Sequence, residues 1–160
     1  MGSISAYGIG SAARIAGWGR LPLLAGALIA LPAASPMASL DVGVTGLRSM
    51  RGQVLICVTA DPAHFPDCGK DPAARKLAVP TARAADLRFP DMPSGSYAVS
   101  LFHDENSNGK LDMRFGLIPL EGMGFSNNPR IRFGAPTFAA ARFAVTNQPI
   151  GEMVRLQYFL

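Results

Sequence analysis

The sequence is short of the residues that most active-site chemistry needs. Among 160 residues it has two cysteines, two histidines and one tryptophan, and only 16% of the chain is charged. His64 and His103 stand far apart, so the two histidines give no zinc signature. A CxxC pair is absent, which excludes a thioredoxin-type redox motif. No G-x-S-x-G segment and no Ser-His-Asp or Cys-His arrangement points to an activated nucleophile. No run of about 20 apolar residues is present, so nothing reads as a stable transmembrane helix. Nor is there a basic stripe interleaved with aromatics, so the net charge of +4 does not indicate a nucleic-acid partner.

Acidic residues are missing from residues 1–38, where the only charges are Arg14 and Arg20. An apolar run of eleven residues, Leu21 to Leu31 (LPLLAGALIAL), leads into small residues and prolines. A positive start, a short apolar centre and a small-residue exit predict a signal peptide over 1–38, cut between 34 and 39. A retained membrane anchor is the alternative. Loss of Arg14 and Arg20 would lower the net charge from +4 to about +2. Residues 39–160 then form a single domain, long enough for one core, in the periplasm or outside the cell. Cys57 and Cys68 are expected to pair in that oxidising setting, closing a loop whose cross-link stabilises by about 3 kcal/mol. Two buried free thiols are the other reading.

Alternation of apolar and polar residues predicts strand after strand. Leu40, Val42 and Val44 alternate with Asp41, Gly43 and Thr45; Gln53 to Val58 is a β-branched run; Tyr97, Val99 and Leu101 alternate with Ala98, Ser100 and Phe102. Ala85, Leu87 and Phe89 form a further strand that ends in a turn over Pro90, Pro93, Ser94 and Gly95. Lys76 to Val79 reads as a short edge strand, residues 140–146 as another, and Val154, Leu156 and Tyr158 as the last. Residues 104–138 read as irregular, and no helix is expected after the signal segment. The expected fold is all-β: a two-sheet immunoglobulin-like or prealbumin-like sandwich of about seven strands. An open barrel is the alternative.

The segment HDENSNGKLD (103–112) carries the most chemistry. Asp104, Asn106 and Asn108 place side-chain oxygens at alternate positions, Gly109 permits a sharp turn, the Lys110 carbonyl follows, and Asp112 closes the series. Such spacing wraps oxygens around a hard cation, and calcium is the one cofactor it suggests. Leu111 would tuck into the core. Phe115 stands where a helix–loop–helix site has its bidentate Glu, so this is not that motif; Glu105 or Glu121 would have to complete the shell. With two certain carboxylates the expected affinity is weak, about 0.1 to 1 mM. The same residue types also build metal-free turns. His103 precedes the loop on the Tyr97–Leu101 face and reads as a hydrogen-bonded structural residue or a flanking ligand. His64 has no obvious partner. Residues 116–128 (GLIPLEGMGFSNN) form a glycine-rich stretch. There Phe125 and Asn127 either line a ligand site or wrap around the body, with Phe125 plugged into the core.

Taken together, MPSGSY (92–97), AVSLFHDENSNGKLD (98–112), GLIPLEGMGFSNN (116–128) and GAPTFAAARF (134–143) resemble a bacterial family, domain of unknown function 2141. The resemblance runs from about Leu40 to the C-terminus. It implies a secreted or envelope-associated β-sandwich with no established activity. Met113 and Met123 depart from the commoner polar and aromatic residues of that pattern, and neither removes an oxygen ligand. The P-x-G-x-Y turn at Pro93 to Tyr97 is more widely similar to prealbumin-like and carboxypeptidase-regulatory-like modules. Enzymes on such sandwiches use tails or iron ligands that this chain does not match.

The expected function is therefore an exported, non-catalytic envelope module that binds an unidentified polymer or protein through residues 104–128, with calcium as a stabiliser. A metal-dependent hydrolase built on His103, Asp104, Glu105 and Asp112 is the enzymatic alternative. A metal-free structural role is the third.

Overall fold

The computed structural model describes residues 37–132 and 134–160. The expected signal segment lies outside the described residues except for its last two, Met37 and Ala38. These already belong to a strand, which starts at Met37 rather than after residue 38.

The described strands are, in chain order, β1 (Met37–Thr45), β2 (Gln53–Thr59), β3 (Arg75–Pro80), β4 (Asp86–Pro93), β5 (Gly95–Asp104), β6 (Met113–Arg114), β7 (Ile118–Pro119), β8 (Gly122–Phe125), β9 (Phe143–Val145) and β10 (Ile150–Arg155). One sheet has the order β10-β1-β4, with β1 parallel to β10 and antiparallel to β4. The other has the order β3-β2-β5-β8, and β9 pairs with the first three residues of β5. β6 and β7 form a separate hairpin.

Period-two burial builds the core. Leu40, Val42 and Val44 from β1 meet Val54, Ile56 and Val58 from β2; Leu87, Phe89 and Met92 from β4 meet Val99 and Leu101 from β5; Val154 of β10 joins them. This is the two-sheet all-β sandwich expected from the sequence, and no barrel forms. Besides this face-to-face packing, β8 meets the segment just after β10, where the Met123 and Gln157 backbones exchange hydrogen bonds of 3.0 and 2.8 Å.

Four local expectations need correction. The strand expected to stop at Phe89 runs on to Pro93; β4 lies at the edge of its sheet, where a proline without an N–H is tolerated. A one-turn helix, α1 (Phe138–Ala141), is present; Thr137 caps it and its buried face joins Ala98 and Phe125, so packing offsets its shortness. Residues 104–138 are not wholly irregular, because they contain β6, β7 and β8. β8 has the sequence GMGF, with none of the β-branched residues that mark a strand. Its glycines are required by close approach: a Cβ at Gly122 would lie 2.4 Å from the Tyr158 ring, and one at Gly124 would lie 2.8 Å from Val154. Finally, His64 does have a partner, with its Nδ1 2.8 Å from Asp61 Oδ2.

The Cys57–Cys68 disulfide is present and ties the loop after β2 back onto that strand. Ser100 Oγ donates to the Pro66 carbonyl at 2.7 Å, and Lys76 Nζ to the Gly69 carbonyl at 3.1 Å. The loop is thereby laid across the outer face of the larger sheet.

Candidate functional site

β5 delivers Asp104 to the end of the larger sheet, where it is fully buried. Its carboxylate organises the loop that follows: Oδ1 accepts the Asn108 N–H at 3.0 Å, and Oδ2 accepts the Gly109 N–H and the Gln53 amide, both at 2.8 Å. Burial works to raise the Asp104 pKa, but Gln53 and the N–H groups of Gly109, Asn108 and Ser107 outweigh it and hold the carboxyl below its ordinary value. Asn106 Oδ1 accepts from Asn108 N at 3.0 Å and Asn108 Oδ1 from Lys110 N at 2.7 Å, so each closes a turn two residues ahead. Their amide nitrogens both donate to Asp112, from 2.7 Å for Asn106 and 3.1 Å for Asn108. The side chains at the alternate positions thus converge on one another through N–H groups. Leu111 is half-buried, away from both core clusters.

Glu121, only 4% exposed, ties this loop to the hairpin beyond it: Oε1 accepts Glu105 N–H at 3.0 Å and Oε2 accepts Asp112 N–H at 3.1 Å. Glu105 turns instead to Arg48 and Ser49, accepting from Arg48 Nε at 3.0 Å and Ser49 Oγ at 2.6 Å. Arg48, helped by Ser49 and working against burial, draws Glu105 from its ordinary 4.5 to about 2. A small cavity of about 200 Å3 gathers Glu105, Asn106, Asp112 and Glu121, but Arg48 and Arg51 line it too. Among the described residues, no three His, Cys, Asp or Glu side chains converge as a metal-ligand group.

His103 is fully buried. Its Nε2 lies 2.8 Å from the Arg51 carbonyl, which can only accept, so Nε2 carries the proton. Nδ1 then accepts from the Tyr158 hydroxyl at 2.7 Å, and that oxygen accepts the Arg48 N–H at 3.2 Å. The Arg48 guanidinium sits 4.5 Å above the Tyr158 ring. Both ring nitrogens of His103 are therefore engaged in a chain that joins the segment after β1, the end of β5 and the C-terminal residues.

The outer face of the larger sheet is different in character. Leu55, Ala78, Phe102 and Met123 floor an open groove of about 800 Å3, mostly apolar, between Pro66 and Cys68 of the disulfide loop and Lys110 and Leu111 of the Asp104 loop. Lys76 also lines it.

The model of a bacterial family described as uncharacterized proteins conserved in bacteria, DUF2141, matches residues 42–151. The chain belongs to this family. Searches of curated proteins and of solved structures each found no match. The DUF2141 match covers the Asp104 loop, Glu121 and every residue named above as lining the groove, and it stops before Tyr158.

Placed on this DUF2141 domain, the sequence-expected site residues fall into separate groups. Asp104, Asn106, Asn108, Lys110 and Asp112 share one loop, with Glu105 and Glu121 at its base. His103 lies beneath it in the core. Phe125 packs with Ala98, Ala141, Phe65 and Phe138, with ring centroids 5.8 Å from Phe65. Asn127 donates to the Arg142 carbonyl at 2.8 Å with φ of 60°, and is a structural brace well separated in role from the loop. Sequence reasoning missed Arg48, Ser49 and Gln53, which meet the loop across more than fifty residues of chain. The alternation of Val154, Leu156 and Tyr158 was a signal that Tyr158 points inward.

Proposed function

We propose that this protein is an exported, non-catalytic β-sandwich module that holds an amphiphilic ligand, apolar along its length with an anionic end, in the outer groove of the larger sheet. The observation that carries this reading is the groove itself: its volume falls in the range of small-molecule sites, and an apolar floor with a few placed polar groups is their usual composition. Lys76 and Lys110 supply the cations. The non-catalytic part is supported by His103 and Asp104, whose polar atoms are engaged and buried, so neither stands as a free base beside open carboxylates. Export is supported by the pattern of residues 1–38 and by the disulfide.

Anilinonaphthalene sulfonate, an apolar probe with one negative charge, tests the reading. Saturable fluorescence enhancement is expected with the folded protein, and loss of it in Phe102→Lys and Met123→Lys, with both variants still unfolding cooperatively. Absence of saturable binding, or equal binding by both variants, overturns it.

A calcium-bound form of the Asp104 loop is a second reading. It is favoured by the turns that Asn106 and Asn108 close and by the four oxygen-bearing side chains around the small cavity. An ion there would have to displace Arg48 from Glu105. A calcium-specific rise in melting temperature, absent with magnesium and in Asp112→Ala, is expected by mass action. No shift at about 10 mM calcium, above the weak extracellular range, rejects this second reading.

A further inference from the structure

The β6–β7 hairpin holds five of the eleven large apolar side chains that are exposed among the described residues: Met113, Phe115, Leu117, Ile118 and Leu120. Phe115 and Leu117, at its tip, are 85% and 80% exposed. The tip turn closes through Leu117 N–H to the Arg114 carbonyl at 3.1 Å, with φ of 54° at Phe115 and 70° at Gly116. Positive φ at both central residues is the pattern that Asn-Gly fills best. A bulky aromatic there is disfavoured by its backbone and by its exposure to water at once. The folded domain buries little of the ring in return, with the Arg114 guanidinium over it and 85% of the residue left exposed, which points to a reason for Phe115 outside the chain.

We propose that this hairpin is a membrane-contact finger that enters the headgroup region of an anionic bilayer. Its base is held rigid: Leu120 N–H donates to the Asp112 carbonyl at 2.9 Å, Glu121 accepts Asp112 N–H, and Arg48 Nη2 donates to the Leu120 carbonyl at 2.9 Å. The tip therefore needs no ordering when it binds. Residues 113–120 contain no acid. Arg114 lies over the Phe115 ring at 5.5 Å and forms no salt bridge among the described residues, and Lys110 is exposed nearby in sequence. An apolar tip with cations behind it complements lipid chains beneath anionic headgroups. The finger reaches roughly 10 Å from its base, about the depth of that boundary. A protein interface needs about 800 Å2 of matching surface on each partner; two-residue strands offer a narrow point, which a fluid apolar phase accepts without a preformed pocket. This surface shares Lys110 alone with the groove, and its test, read at Phe115 and Arg114, does not depend on the groove's ligand.

Phe115→Trp in protein recovered from the periplasm puts a reporter at the tip, with the wild type recovered in the same way as the blank. With vesicles of phosphatidylcholine containing phosphatidylglycerol, the added emission is expected to shift blue and to be quenched by brominated lipid. Both effects should weaken with added salt and with Arg114→Gln. In co-sedimentation, Phe115→Asn with Leu117→Ser is expected to lower partitioning at least ~10-fold. Phe115→Asn alone should melt no lower than the wild type, because Asn suits the turn. An added tryptophan that stays water-exposed with these vesicles overturns the proposal. So does a hairpin-dependent dimer in sedimentation velocity without vesicle binding, which would assign the finger to a second copy of the chain.

Discussion

Asp104 is fully buried and forms no salt bridge among the described residues, yet its carboxyl is held ionised by donors supplied from β2 and from its own loop. Asp104→Ala would strand the Gln53 amide and the Gly109 N–H and leave the Asn108 N–H with Asn106 alone, and we expect a loss of about 3 kcal/mol, read from urea unfolding. Asp104→Asn keeps one acceptor and should lose less. Glu105 sets the acid response. Its folded pKa of about 2 lies below its ordinary 4.5, so the stability it adds is complete above the unfolded value and is lost as pH falls through the folded one. Asp104 moves in the same direction. Stability is therefore expected to hold down to about pH 5 and to decline from about pH 4.5 towards 2. Glu105→Gln should flatten that decline in unfolding midpoints taken at several pH values.

The short strand β8 carries more coupling than its length implies. Gly122 leaves room for the Tyr158 ring, and that ring's hydroxyl is the partner of His103 Nδ1 at the end of β5. Gly122→Ala would push the ring away, leaving His103 Nδ1 and the Arg48 N–H without their partner. A loss of about 2–4 kcal/mol is expected in chemical denaturation, with Tyr158→Phe accounting for about 1–3 kcal/mol of it. The two variants together should fall short of additivity, because they break the same contact. The pair Asn127 and Asn128 shows the same economy of position. Both take left-handed backbone, at φ of 60° and 47°, and Asn128 then brackets β10 by accepting Arg155 N–H and donating to the Met153 carbonyl, each at 2.7 Å.

Across the molecule, the first strand bears on where a leader could be removed. Met37 pairs with Pro93 and Ala38 with Met92, and Ala38 and Leu40 are buried in the core. A cut after residue 38 would remove part of that pairing, so the amino-terminal residue of protein recovered from the periplasm is expected between 34 and 37, which end-group sequencing reads directly. A start at Leu40 or later would contradict the strand's role.

Local pattern was enough to expect the sandwich, with an open barrel as the alternative. Alternation in Leu40–Val44 and Tyr97–Leu101 leaves a face to bury, and such strands bury it against a second sheet, whereas the strand expected over Val154–Tyr158 lies earlier, at Ile150–Arg155. The cysteine pairing was legible as well, because two cysteines allow one pairing within the chain. What the sequence left open depended on contacts between distant residues. GMGF becomes a strand only because Tyr158 and Val154 occupy the space a side chain would need. Asp104 is hydrogen-bonded by Gln53 and Glu105 is paired with Arg48, residues separated from them by 51 and 57 positions. The apolar groove depends on which side of the sheet the disulfide loop covers. Exposure of Phe115 and Leu117 was also beyond local pattern, since an apolar run reads alike whether it is buried or held out on a finger.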